Sequence, residues 1–114
     1  GQPLVLHGDG LQSRDFTYVE SVCSTLYDSV MGPAHHSQPV NLAFGTNTTL
    51  LDLIAELELA LNRTLAVEKQ GPRAGDVRAS EADSALLREL FPDARPVTLG
   101  VGLRHTLSWF SRDA

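Results

Sequence analysis

An arginine and a carboxylate set among glycines and aromatics are the first residues in this chain whose types and spacing could do chemistry. Residues 8–19 read Gly-Asp-Gly-Leu-Gln-Ser-Arg-Asp-Phe-Thr-Tyr-Val. Gly8 and Gly10 leave two backbone positions free to take φ > 0, which marks a turn. Arg14 and Asp15 follow directly, beside Phe16 and Tyr18. Two readings fit. A site that grips an anionic ligand uses a cation flanked by aromatics, and a hairpin tip with a surface ion pair uses the same residues. A second stretch, Gly71-Pro72-Arg73-Ala74-Gly75-Asp76-Val77, again combines an arginine, a glycine and an acid. Arginine offers a planar fork of permanent charge that suits paired acceptor oxygens. The competing reading makes Arg14–Asp15 and Arg73–Asp76 two surface salt bridges of little energetic weight.

The elements that must position these residues follow from periodicity. Leu4, Val5 and Leu6 form a short apolar run between Pro3 and the Gly8 turn, a strand signal. Val19, Val22, Cys23, Leu26, Tyr27 and Val30 recur at helical spacing and predict one buried helix face, with Cys23 packed in it as a small apolar residue. Met31-Gly32-Pro33 stops that helix. The loop after it carries His35 and His36, read as solvated because His7 and His105 stand far away and show no ligand spacing. Residues 40–44, Val-Asn-Leu-Ala-Phe, predict a strand ended by Gly45. Thr49 with Asp52 three residues later has the form of a capping box, and Leu50, Leu53, Ile54, Leu57 and Leu61 continue a helix that Asn62 closes. Residues 65–68 predict a strand. Ser80 or Asp83 caps a short helix carrying Leu86, Leu87 and Leu90, ended by Phe91-Pro92. Thr98 opens a last helix with Leu103, Leu107 and Phe110 on its apolar face and Trp109 beside it.

Composition narrows the classes. The 114 residues are enough for one small domain with a modest core. No run of about 18 apolar residues occurs, so no membrane span is predicted. No basic segment precedes an apolar one at the N-terminus, so no signal peptide is expected. One cysteine forms no internal disulfide, which fits a reducing cytoplasm. A net charge of −5 argues against a nucleic-acid groove. It leaves room for a small anion held by local arginines.

The stretches GDGLQSRDFTYV and RAGDVRASEAD resemble two stretches of the extended short-chain dehydrogenase/reductases, in particular the nucleotide-sugar epimerases and dehydratases. That family carries GDG-x-Q-x-RDF-x-YV and, later, R-x-GD followed by an Ala-Asp pair. Asn41 and Gly45 match its Tyr-Asn-x-Gly-x-Gly pattern, although Ala43 replaces the first glycine. Leu99, Gly102, Leu103, Thr106 and Trp109 match its L-x-x-GL-x-x-T-x-x-W ending without a gap. The family's Gly-Trp before that ending is Pro92-Asp93 here, and its lysine after the Ala-Asp pair is Leu86. The resemblance covers nearly all of this chain but only the last third of such an enzyme.

The resemblance implies an α/β fold: a small C-terminal, substrate-binding lobe of helices packed on a few short strands, without the Rossmann lobe. Residues 1–114 would be a single partial domain, the N-terminal NAD-binding lobe being absent. Arg14 and Arg73 would clasp the diphosphate of a nucleoside-diphosphate sugar, and Asp76 would accept from a ribose hydroxyl. Leu4 to His7 would line the nucleotide base, with His7, standing where the family often has an aromatic, either stacking on the base or facing water as a strand-end histidine. Asn41 would complete the substrate set, Asp15 would fix a turn through backbone amides, and Arg112 would play no part. No Tyr-x-x-x-Lys occurs, since Val22 follows Tyr18 at the fourth position and Met31 follows Tyr27, and no glycine-rich Rossmann turn occurs. No catalytic, NAD-binding or metal-binding residue is therefore expected in this chain, and NAD belongs to the implied parent, for which a 4-epimerase is favoured over a dehydratase or decarboxylase. Without its partner lobe the chain should expose apolar surface and associate as a homo-oligomer. The alternative is a non-catalytic interaction or regulatory domain that keeps the fold.

Overall fold

A computed structural model describes residues 2–112. The described elements run β1 (Leu4–His7), β2 (Ser13–Asp15), α1 (Val19–Met31), β3 (Asn47–Thr49), α2 (Leu50–Leu61), β4 (Val67–Gln70), β5 (Ala79–Ser80), α3 (Ala85–Leu90) and α4 (Leu99–Arg112). The α/β class read from the sequence is the class observed.

Two small sheets organise the strands. β1 and β4 pair in parallel, with Leu4 opposite Val67 and His7 opposite Gln70. β2 is the middle strand of the other sheet, antiparallel to β3 and parallel to β5, with Arg14 opposite Thr48 and Ser80. The Gly8–Gly10 turn carries the chain from one sheet to the other. Both glycines take positive φ, +76° and +79°. A Cβ on Gly10 would lie 2.8 Å from the Leu51 side chain and 3.1 Å from Leu6, so this turn is also where β1 and α2 approach closely.

The capping box at α2 is present. Asp52 N–H donates to Thr49 Oγ1 at 3.1 Å, and Thr49 N–H donates to Asp52 Oδ2 at 3.2 Å. The helix closes on Asn62 in the left-handed conformation, φ +50°. α2 packs against α4, and Tyr18 lies over Gly102, where a Cβ would meet its ring at 3.0 Å. Phe16, Tyr18, Leu53, Leu99 and Leu103 line the seam between these helices. The aromatics that flank Arg14 in sequence thus fill a helix seam and leave the arginine.

Two expectations need correction. The apolar face of α1 is not buried: Tyr27 is 64% exposed and Val30 80%, and Cys23 is exposed with them. The helix instead turns Ser21 and Thr25 inward, and Ser21 Oγ accepts from Val97 N–H at 2.9 Å. Periodicity identifies an apolar stripe, but burial requires something to cover it. Residues 40–44 form no strand, because a strand exists only with a partner for its backbone groups, and none lies beside this segment among the described residues. The core is correspondingly thin, with Leu6, Ala43 and Leu87 as its buried hydrophobic residues. The Cα radius of gyration is 16.7 Å, against about 13 Å for a compact 100-residue domain.

Candidate functional site

The parallel strands β1 and β4 end together at His7 and Gln70, and the chain opens there into the Gly8 turn and the loop 71–78. Successive side chains of a strand point to opposite faces. Leu6 therefore turns into the core at 3% exposure, while Val5 and His7 face a cavity of about 170 Å³. Gln12, Arg14, Leu50, Arg73 and Asp76 complete its lining. A larger, shallower hollow of about 430 Å³ adjoins it and shares His7, Gln12, Arg73 and Asp76.

Arg14 reaches this cavity from the middle strand of the second sheet. Its Nη2 donates to Asp76 Oδ1 at 2.8 Å, and its Nη1 donates to the carbonyls of Ser13 and Val77, each at 2.7 Å. Arg14 and Asp76 are each about one-third exposed, 32% and 33%. Arg73 comes from the loop 71–78, in a tight turn. Asp76 N–H donates to Arg73 carbonyl O at 3.2 Å, and Gly75 has φ +81°, the conformation that favours glycine at the third position of such a turn. The Arg73 guanidinium makes no hydrogen bond or ion pair among the described residues. The cavity thus holds one engaged cation, one free cation and one carboxylate.

Gln12 is 9% exposed, and its Nε2 donates to His7 carbonyl O at 2.7 Å, closing the glycine turn from inside. Its amide lines both hollows and is a neutral polar group there. His7 Nδ1 lies 3.3 Å from Gly71 O, a contact that ties the end of β1 to the start of the loop. Arg78 pairs with Asp9 at the outer rim, 3.1 Å. Hydrogen bonding from Leu11 N–H and from Arg78 holds the Asp9 carboxyl below its ordinary value.

Asp15 serves the scaffold. Its Oδ2 accepts from Phe44 N–H at 3.0 Å and Gly45 N–H at 2.9 Å, and Oδ1 accepts from the Thr46 hydroxyl. Burial pushes this carboxyl up, but the hydrogen bonds from Thr46, Gly45 and Phe44 outweigh it, and the group titrates below its ordinary value of 3.8. The expected turn-fixing role is the one observed, at the turn of residues 44–46.

Of the residues singled out in the sequence, Arg14, Arg73, Asp76 and His7 converge on one cavity. Leu4 does not reach it, because strand alternation places it on the other face, and its neighbour Val5 lines the wall. Asn41 stands elsewhere, its Nδ2 donating to Asp83 carbonyl O at 3.3 Å. Gln12 and Leu50 were not singled out. The signal for Gln12 was its place two residues before Arg14 in the same motif; Leu50 gave none beyond its helical spacing. The Arg112 side chain lies outside the described set. Among the described residues, no three His, Cys, Asp or Glu side chains gather as metal ligands, and no helix is long and apolar enough to cross a membrane.

No protein-family model matches the chain. UDP-glucose 4-epimerase of Mycolicibacterium smegmatis is 29% identical over 110 residues, covering 96% of this chain and 35% of that protein. Among solved structures, UDP-N-acetylglucosamine 4-epimerase from Methanobrevibacter ruminantium, in complex with UDP-N-acetylmuramic acid, superposes with a TM-score of 0.86. It is 28% identical and covers 99% of this chain and 36% of that one. UDP-glucuronic acid 4-epimerase from Bacillus cereus, in complex with UDP-glucuronic acid and NAD, shares the fold at a TM-score of 0.86 and 22% identity, over 99% of this chain and 36% of that one. The chain thus spans about a third of the length of these relatives. In sequence and in fold it resembles the C-terminal lobe of the extended short-chain dehydrogenase/reductases of the nucleotide-sugar epimerase and dehydratase group.

Proposed function

We propose that this chain is the substrate-binding portion of an NAD-dependent nucleotide-sugar epimerase or dehydratase, and that by itself it is catalytically incomplete. The observation that carries this reading is the convergence of Arg14 and Arg73, distant in sequence, on one cavity with Asp76 and His7. A diphosphate offers paired anionic oxygens, and the free fork of Arg73 suits them with charge-assisted hydrogen bonds. Asp76 offers an acceptor for a ribose hydroxyl, and the imidazole of His7, beside Val5, a surface on which a base can lie. The relatives are 4-epimerases, and two solved neighbours hold UDP-sugars, which makes a UDP-sugar the first ligand to test.

NAD, which supplies the hydride acceptor and donor in such enzymes, does not fit the residues present. A dinucleotide pyrophosphate is held where a glycine-rich turn leads from a strand into a helix. The Gly8–Gly10 turn leads from β1 into β2, another strand. NAD therefore belongs to a second lobe of the same polypeptide. The uncovered α1 face offers that lobe an apolar docking surface. The same surface supports the alternative of an interaction domain, which would bind a partner and no nucleotide.

Calorimetric titration separates the two. A saturable UDP isotherm, together with no NAD isotherm, supports the substrate-lobe reading. Saturable micromolar binding of NAD, or no UDP binding, overturns it.

A further inference from the structure

Asp9–Gly10 is the one place in the chain where an aspartate or asparagine precedes a glycine. That pairing carries a chemistry of its own. A glycine nitrogen has no side chain beside it to block approach, so it can attack the aspartyl side-chain carbon Cγ. The Gly10 N–Cγ bond forms, the amide proton and the carboxyl OH leave as water, and a five-membered succinimide results. Water then reopens the ring. Attack at Cγ restores Asp9. Attack at the main-chain carbonyl carbon leaves the chain running through Cβ and Cγ, which is an isoaspartate. Water is the only co-reactant, and nothing is oxidised or reduced.

The nucleophile here is free and the electrophile is restrained. The Gly10 N–H donates to no acceptor among the described residues. The Asp9 carboxylate is half-exposed but held on both oxygens: Oδ1 accepts from Leu11 N–H at 2.9 Å, and Oδ2 accepts from Arg78 Nη1 at 3.1 Å. Ring closure needs the carboxyl plane turned face-on to the Gly10 nitrogen, and that rotation breaks both bonds. Closure also runs through the protonated carboxyl, whose OH can leave, whereas both hydrogen bonds favour the ionised form.

We infer that Asp9–Gly10 is a latent isoaspartate site, kept in the aspartyl form by Arg78 and the Leu11 N–H, and that isomerisation there breaks the turn between β1 and β2. Isomerisation adds one carbon to the main chain, and this turn has no slack for it. On one side Gly8 N–H donates to Gln70 O at 3.0 Å; on the other Gly10 O accepts from Leu51 N–H at 3.2 Å. Gly10 itself is buried, and a Cβ there would lie 2.8 Å from Leu51. The added atom must therefore pull the turn off β4 or off α2.

The test is ageing of the 114-residue chain at neutral pH, with isoaspartate at residue 9 located by peptide mapping with electron-transfer fragmentation. A synthetic peptide of residues 4–16 supplies the unrestrained rate. The folded chain should isomerise at least about tenfold more slowly than the peptide. Arg78→Gln should speed the folded chain about threefold to tenfold, and Arg78→Lys, which keeps a donor, should fall between. Asp28–Ser29 and Asp83–Ser84 are internal references and should not change. The isomerised chain, separated by chromatography, should unfold at a lower thermal midpoint than the unmodified one. A folded rate equal to the peptide's, or an unchanged rate in Arg78→Gln, overturns the restraint. Acceleration that extends equally to the two reference sites also overturns it, since general unfolding would then be the cause. A matching thermal midpoint overturns the claim that the turn is broken.

Discussion

Arg73 is the residue on which binding should depend most directly, because its charge is the unengaged one in the cavity. Charge-assisted hydrogen bonds contribute about 1.5–3 kcal/mol each, and about 1.4 kcal/mol is a tenfold change in affinity. On the proposed function, Arg73→Ala in the full-length protein should weaken nucleotide-sugar binding by about one to two orders of magnitude, read as a change in Kd. Arg73→Lys should recover part of the loss, since a point charge cannot form the planar fork. Asp15 makes a different prediction, in pH. Its folded pKa lies below the ordinary 3.8, so its contribution is fully present above about pH 4 and is lost as pH falls through the lowered native value. Asp9 and Asp52 are also lowered, so the telling quantity is a difference. The thermal midpoint of Asp15→Asn should fall less steeply below about pH 4 than that of the wild type. Parallel curves would show that Asp15 is not a linked group.

At the scale of elements, close approach and capping carry the local predictions. Gly10 is held at φ +79° against Leu51 and Leu6. Gly10→Ala should therefore destabilise by about 1–3 kcal/mol, through backbone strain and overpacking together. Thr49→Ala removes the cap of α2 and should cost about 1 kcal/mol. Chemical denaturation checks both. Much of this level was legible in the sequence. The Thr49–Asp52 spacing located α2 to the residue, and the Gly8–Gly10 pair located the turn, because both depend on local chemistry. The short strands β2, β3 and β5 were not legible. Each has two or three residues, too few for alternation to show, and each exists through pairing with a distant segment. The α1 stripe failed in the opposite direction: the pattern was correct, but its cover is not in the described residues. The cavity lies between these cases. Motif spacing brought out Arg14, Arg73 and Asp76, and the Leu4–His7 stretch was expected at the site, whereas Gln12 emerged only once the turn was in place.

The whole molecule is broad and thin, with extents of 48 × 36 × 19 Å. The outer face of α1 is uncovered among the described residues, with Val19, Leu26, Tyr27, Val30 and Met31 all exposed. Exposed apolar patches of this kind promote association. The chain alone should form a dimer or larger assembly as concentration rises, measured by light scattering, and Leu26→Lys with Val30→Lys should shift it toward monomer. A wild-type chain that stays monomeric over a wide concentration range would show that this face needs no partner. Nuclear magnetic resonance titration of the chain with UDP probes the cleft at the ends of β1 and β4. Saturable amide shifts should gather at His7, Gly8, Gln12, Arg14 and the 71–78 loop and be lost in Arg73→Gln. Shifts that do not saturate, or that gather elsewhere and survive Arg73→Gln, would contradict the substrate-site reading.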